Sequence, residues 1–151
     1  MTVGNPINIQ EDGTRDLILI VDDDKISRRL LSIMLQNLGF RTLCIEDGYY
    51  LSFSCAYFTH IKAIFMDIAM PKLDGYKTTK KIRALLKKNN LPYHMPIFAI
   101  TVNKDGKKSL KAGCDLHLVK PVSPEIISQS LRSFGLLAPV EETGDTSRKQ
   151  P

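Results

Sequence analysis

The polar residues that could do chemistry in this chain sit at the ends of short apolar runs. Asp22-Asp23-Asp24 follows the run 17–21, Asp67 follows 63–66, Thr101 follows 97–100, and Lys120-Pro121 follows 116–119. Two carboxylates about 4 Å apart repel by roughly 4 kcal/mol at an effective dielectric of 20. Three acids brought together therefore call for a cation, or one of them takes up a proton. Oxygen ligands alone in an open site suit Mg²⁺, which keeps several waters and accepts a phosphate as a further ligand. On that reading Asp22, Asp23 and Asp67 are the expected metal ligands, and Asp24 is expected to cap the helix that follows. A carboxylate can act as the nucleophile in phosphoryl transfer and become an acyl phosphate. That reaction needs positioning and charge stabilisation, which a metal, the Lys120 ammonium and the Thr101 hydroxyl would supply.

Such a site exists only if the fold brings four chain segments together. The apolar runs 17–21, 40–45, 63–66, 97–100 and 116–119 alternate with segments of helical period. Most are continuous rather than alternating, as in strands buried on both faces. The helices carry their own end signals. One spans about Lys25 to Leu38 before Gly39, and Asp47 caps a second. A third follows Asp74 to about Lys88 with an inward stripe of Thr79, Ile82, Leu85 and Leu86, and a fourth runs from about Lys104 to Ala112 before Gly113. Ser123-Pro124-Glu125 opens a fifth. Five βα units predict an α/β, doubly wound, flavodoxin-like (βα)5 fold with a five-stranded parallel sheet in the order 2-1-3-4-5. In such a sheet ligands bind beyond the carboxyl ends of the strands where the order reverses, here between the first and third. That is where the acids fall.

Composition sets the frame. A length of 151 residues suits one domain, and 43% hydrophobic with 25% charged residues is ordinary for a globular chain. No apolar run approaches the ~20 residues of a membrane span. The first residues have neither a basic start nor an apolar stretch, so no secretory signal is expected. Cys44, Cys55 and Cys114 are odd in number and widely spaced, which fits reduced thiols in the cytoplasm. Residues 1–15 and 138–151 lack periodicity and are expected to be flexible tails around a domain at 16–137. Each tail holds one more acid than base, so residues 16–137 carry +7 and the whole chain +5. Six bases, Lys77, Lys80, Lys81, Arg83, Lys87 and Lys88, fall in twelve residues without an acid. Such a run reads first as a solvated helix face. Without interleaved aromatics or a recognition motif, nucleic acid is not an expected partner.

The stretches ILIVDDD, FMDIAMPKLDGY, FAITV and LVKPV, between residues 17 and 122, resemble the signatures of response-regulator receiver domains. The string M-D-x-x-M-P-x-x-D-G at 66–75 is the most specific of them. The resemblance implies a phosphoacceptor switch of two-component or phosphorelay signalling, not an enzyme in the ordinary sense. It implies phosphorylation at Asp67 and a Mg²⁺ site of Asp22, Asp23, Asp67 and the backbone carbonyl of Ala69. Thr101 takes a switch role, and the Lys120–Pro121 bond is cis. The implied partners are a histidine kinase or a histidine-phosphotransfer protein. The downstream target is not named by the sequence, nor is phosphorylation-dependent dimerisation decided.

Three departures touch the relay rather than the phosphorylation site. Val102 stands where the family usually has a small residue, and the step from Thr101 to Lys120 is shorter than usual. His117 holds the place of a switch Tyr or Phe, and an imidazole can both swing and titrate near neutrality. Ala69 and Asn103 occupy positions that influence phosphate lifetime in the family. Two variant readings stand beside the main one: a receiver domain of a hybrid histidine kinase, and a degenerate receiver that binds partners without phosphorylation. A phosphatase with an Asp nucleophile would need a second acid two residues on, where this chain has Ala69. A nucleotide-binding flavodoxin-like protein would need a Gly-rich phosphate loop after the first strand.

Overall fold

A computed structural model describes residues 15–46, 58–69, 74–90 and 94–141. Its strands are β1 (Leu17–Val21), β2 (Arg41–Ile45), β3 (Ile61–Asp67), β4 (Ile97–Thr101) and β5 (Leu116–Val119). Its described helices are α1 (Lys25–Asn37), α2 (Gly75–Lys88), α3 (Lys107–Ala112) and α4 (Pro124–Ser133). All strand pairs are parallel and the order is β2-β1-β3-β4-β5, as the unit count predicts. The order reverses between β1 and β3, so the ends of these two strands bound the crevice. The helix expected after Asp47, and Cys55, lie outside the described residues.

Alternate residues of the central strands feed two core layers. Leu19, Val21, Ile64, Met66, Ile97 and Ala99 pack toward Ile82 of α2, with Leu85 and Leu86 beside it. Ile18, Ile20, Phe65, Phe98 and Ile100 pack toward Leu31 and Leu35 of α1 and Ile127 and Leu131 of α4. This explains the continuous apolar runs: every residue of β4 and all but the first of β1 are buried. Burying such side chains contributes roughly 1.5–3 kcal/mol each, enough to hold the strand ends in fixed register. Phe98 meets Phe65 at 5.0 Å and Phe134 at 5.3 Å between ring centroids, both tilted, a favoured arrangement for aromatic pairs.

The capping signals operate as expected. Asp24 accepts a hydrogen bond from the Ser27 amide, Asp74 from the Tyr76 amide, and Ser123 from the Ile126 amide. Gly39 and Gly113 follow α1 and α3 with φ of 97° and 110°, a conformation that favours glycine. Three expectations need correction. The third strand, expected at 63–66, runs from Ile61 to Asp67, because the half-buried Lys62 interrupts the apolar pattern that marked its start. The second strand starts at Arg41, because the Phe40 amide bonds back to the Leu35 carbonyl and still belongs to the end of α1. The helix expected from about Lys104 begins at Lys107. Ahead of it, Asn103 Oδ1 accepts from the Asp105 amide and Asp105 Oδ1 from the Lys107 amide, two side-chain turns that compete with helical bonding.

Candidate functional site at the strand ends

Each expected site residue reaches the site by a strand. Asp22 follows β1 with its amide bonded to the Ile45 carbonyl of β2, and Asp67 is the last residue of β3. Thr101 ends β4 one residue beyond Ile100, whose carbonyl accepts from the Ile68 amide, so Thr101 and Asp67 lie at the same edge of neighbouring strands. Lys120 follows β5, its amide bonded to the Thr101 carbonyl, and the Lys120–Pro121 peptide bond is cis.

The structure brings together Asp22, Asp23 and Asp67, each offering a carboxylate oxygen within 4.8 Å of the others. Lys120 Nζ stands 3.5 Å from Asp22 Oδ2 and 3.7 Å from Asp67 Oδ1. One ammonium faces three carboxylates, so the cluster is under-neutralised. The strain shows on Asp67, whose carboxyl is pushed up to about 6, first by burial and then by the charge of Asp22, against the pull of Lys120 and the Ala69 amide. An all-oxygen donor set with surplus negative charge fits a hard divalent cation of the Mg²⁺ kind. Asp24 stands apart as the cap of α1: hydrogen bonds from Ser27 hold its carboxyl below the usual range.

Thr101 is buried, and its Oγ1 accepts from the Asn103 amide, which fixes the oxygen and leaves the hydroxyl proton to donate elsewhere. Ala69 sits two residues beyond Asp67 and donates its amide to Asp67 Oδ1 at 3.3 Å. Val102 is 73% exposed and lines the rim of a cavity of about 310 Å³ with Leu30, Met34 and Pro121. His117 does not point freely outward. Its Nε2 donates to the Asn103 carbonyl at 2.7 Å, and its Nδ1 pairs with the Ser109 hydroxyl at 2.8 Å. A carbonyl can only accept, so Nε2 carries a proton. The ring thus ties the loop after Thr101 to β5 and α3.

Sequence reasoning missed Arg28. From α1 its Nη1 donates to the Asp22 backbone carbonyl at 2.7 Å and its Nη2 approaches Glu46 at 3.5 Å. The guanidinium pins the turn that presents Asp22 and Asp23. Only its place six residues after Asp22, in the first predicted helix, hinted at this. Arg28→Ala is expected to lower the melting temperature by about 3–6 °C, the effect of losing a hydrogen bond of roughly 1–2 kcal/mol. It should also weaken Mg²⁺ binding several-fold in calorimetry, with Arg28→Lys recovering part of both. Unchanged metal affinity in Arg28→Ala would show that the turn holds without the guanidinium.

The family model for the response regulator receiver domain matches residues 18–132. The chain belongs to the response regulator receiver domain family. Receivers are signalling switches of two-component and phosphorelay systems rather than classical enzymes. Protein PilG of Pseudomonas aeruginosa is 33% identical over 128 residues, covering 82% of this chain and 89% of PilG. The solved receiver domain of sensor histidine kinase PA1611 from Pseudomonas aeruginosa PAO1, with a magnesium ion coordinated in its active site cleft, is 31% identical. It has a TM-score of 0.66 over 78% of this chain and 95% of that one. The receiver of Saccharomyces cerevisiae Ssk1, solved with the histidine phosphotransfer protein Ypd1, is 25% identical, with a TM-score of 0.70 over 81% of this chain and 90% of that one. The first curated relatives are histidine kinases, of whose length this receiver spans 12% or less. Among the described residues no helix is long and apolar enough to cross a membrane.

Proposed function

We propose that this receiver, residues 16–137 between two tails, accepts a phosphoryl group on Asp67 from a phosphohistidine of a histidine kinase or histidine-phosphotransfer protein in the cytoplasm. The observation that carries the reading is the convergence of Asp22, Asp23, Asp67 and Lys120 on one spot. An Asp67 oxygen attacks phosphorus as the P–N bond breaks. The electron pair returns to the imidazole, which takes a proton from solvent. With a carboxyl near 6, Asp67 is mostly ionised above pH 7 and so competent as the nucleophile. Lys120 and the Thr101 hydroxyl receive the phosphoryl oxygens. Asp22, Asp23, Asp67 and the Ala69 carbonyl would hold Mg²⁺, which when bound adds the positive charge that the cluster lacks.

The donor needs a place to sit. Beside the site α1 exposes Ile26, Leu30 and Ile33, and Val102 stands exposed across the apolar cavity. An apolar patch at the rim of a polar site suits a protein donor better than a small molecule. The Ypd1–Ssk1 pairing supports that type of partner. Once formed, the phosphoryl group adds about −1.5 to −2 charge beside Thr101. The loop that His117 ties down is then the element placed to respond, and carries the signal to a downstream protein.

The test is incubation of the full chain with Mg²⁺ and a small phosphoryl donor or a phosphorylated phosphotransfer protein, read by intact mass. One added phosphoryl group, absent in Asp67→Asn, is the expected result. No gain with any donor would overturn the reading in favour of a degenerate receiver that acts by binding alone.

A further inference from the structure

The lysines of α2 stand out in the sequence, but folding places a second set beside them. All five lysines of α2 are exposed and no acid lies on that helix. At 100° per residue, Lys77, Lys80, Lys81 and Lys88 share its outer face. The adjoining helix α3 adds Lys107, Lys108 and Lys111, also exposed and without an acid. The two sets are continuous: Lys108 Nζ lies 4.7 Å from the ring centroid of Tyr76 on α2. Arg83 does not belong to this surface, because its guanidinium turns inward to Asp115, Met95 and Gly113.

Among the described residues none of these lysines forms a salt bridge, while Arg28, Arg83 and Lys120 all do. Lys87, Lys88 and Lys111 stand in last turns, where the helix dipole favours cations, but part of the set works against the helices that carry it. Lys77 and Lys107-Lys108 occupy first turns, where the helix dipole disfavours cations, whereas α4 has Glu125 there. Like charges three and four residues apart, as in Lys77 with Lys80 and Lys81, cost further helix stability. An external anion would relieve this repulsion.

We infer that the α2–α3 face is a docking surface for the phosphodiester backbone of nucleic acid. Protein interfaces are depleted of lysine and rich in aromatics, and basic surfaces that lie on membranes carry a band of large apolar residues. Among the described residues of these two helices, Leu110 is the one exposed large apolar side chain. Nucleic-acid interfaces are strongly positive and polar. The missing aromatics and recognition motif, which argued against nucleic acid from the sequence, bear on reading bases. Backbone binding needs neither. From Lys77 to Lys88 the helix rises about 16 Å, a length over which duplex DNA carries roughly nine phosphate charges.

The test is fluorescence anisotropy of a labelled mixed-sequence DNA duplex of about 20 base pairs with the full chain at physiological salt. Expected are a Kd between about 1 and 100 µM and a slope of log affinity against log salt near −5, as about five neutralised phosphates give. Lys80→Glu with Lys108→Glu should weaken binding at least about tenfold, and Lys80→Gln with Lys108→Gln by an intermediate amount. Lys25→Glu with Arg29→Glu on α1 changes net charge equally and should weaken it less than about threefold. Melting temperatures at or above that of the wild type verify that the variants fold. The inference is overturned by absent binding, by equal weakening in both charge-reversal pairs, or by tighter binding to phosphatidylserine vesicles than to the duplex.

Discussion

Asp67→Asn is expected to raise the melting temperature of the metal-free protein at pH 7.5 by about 3–8 °C while abolishing the proposed phosphorylation. The reason is linkage. The folded carboxyl titrates at about 6, above the roughly 3.9 of an unfolded chain, so between these values the native state binds more protons than the unfolded one. Stability therefore falls as pH rises through that window and stays lower above it. Full burial would convert the rise into nearly 3 kcal/mol. Asp67 lies at the open end of the sheet beside exposed Asp23, and water there reduces this to about 1–2 kcal/mol. Asn carries no charge, so the variant escapes the loss above pH 6, and at pH 4 the two proteins should melt nearly together. Mg²⁺ held by these acids would supply the same relief to the wild type, whose melting temperature it should raise more than that of the variant. Equal gains at pH 4 and 7.5 would trace the effect to packing instead of charge. No gain at pH 7.5 would mean that the acids do not repel as their spacing requires.

The strand ends were readable in the sequence because two local codes agree there. A buried parallel strand must be apolar throughout, so its last apolar residue marks its end, and the next polar residue faces the crevice. Leu17–Val21 was bounded correctly on that basis, Asp67 and Thr101 proved to be the last residues of their strands, and Leu116–Val119 was bounded correctly although it is half-buried and contains His117. The caps Asp24, Asp74 and Ser123 were legible for a similar reason, since each bonds an amide two or three residues away.

What escaped depends on distant partners. Arg83 counts as one more base in a basic run until Asp115, 32 residues later, arrives with the Gly113 and Met95 carbonyls to turn it inward. Arg28 looks like a surface residue of α1 until the Asp22 carbonyl is placed beside it. The α3 boundary was lost to a contest that propensity does not resolve, Asn103 and Asp105 bonding the amides that a longer helix would have used. His117 was legible as a position, but not as a clamp between Ser109 and Asn103, a role that requires the folded loop.

Gly75→Ala should damage both stability and phosphorylation, and it separates the motif's glycine from its acids. Gly75 opens α2 with its amide bonded to the Ile68 carbonyl at 3.1 Å, so helix and strand touch backbone to backbone directly behind Asp67. A Cβ there would overlap the Asp67 carbonyl oxygen and stand 2.7 Å from Ile68 Cα. Neither neighbour is a flexible side chain that could swing away, so α2 or the end of β3 must move. Overpacking of this kind typically costs about 1–3 kcal/mol, and rigid backbone on both sides places this case at the upper end, a fall of roughly 8–12 °C in melting temperature. Because the strand end that shifts carries Asp67, the rate of phosphoryl uptake should drop by about tenfold or more even at temperatures where the variant is fully folded, since a misplacement near 1 Å can cost a hundredfold. Arg28→Ala disturbs the other wall of the same site, the turn holding Asp22 and Asp23, and leaves Gly75 untouched. The two changes therefore predict different signatures in one experiment. Loss of the Arg28 contact should appear chiefly as weakened Mg²⁺ affinity that high metal restores, whereas the Gly75 defect should persist at saturating Mg²⁺, because it moves Asp67 itself.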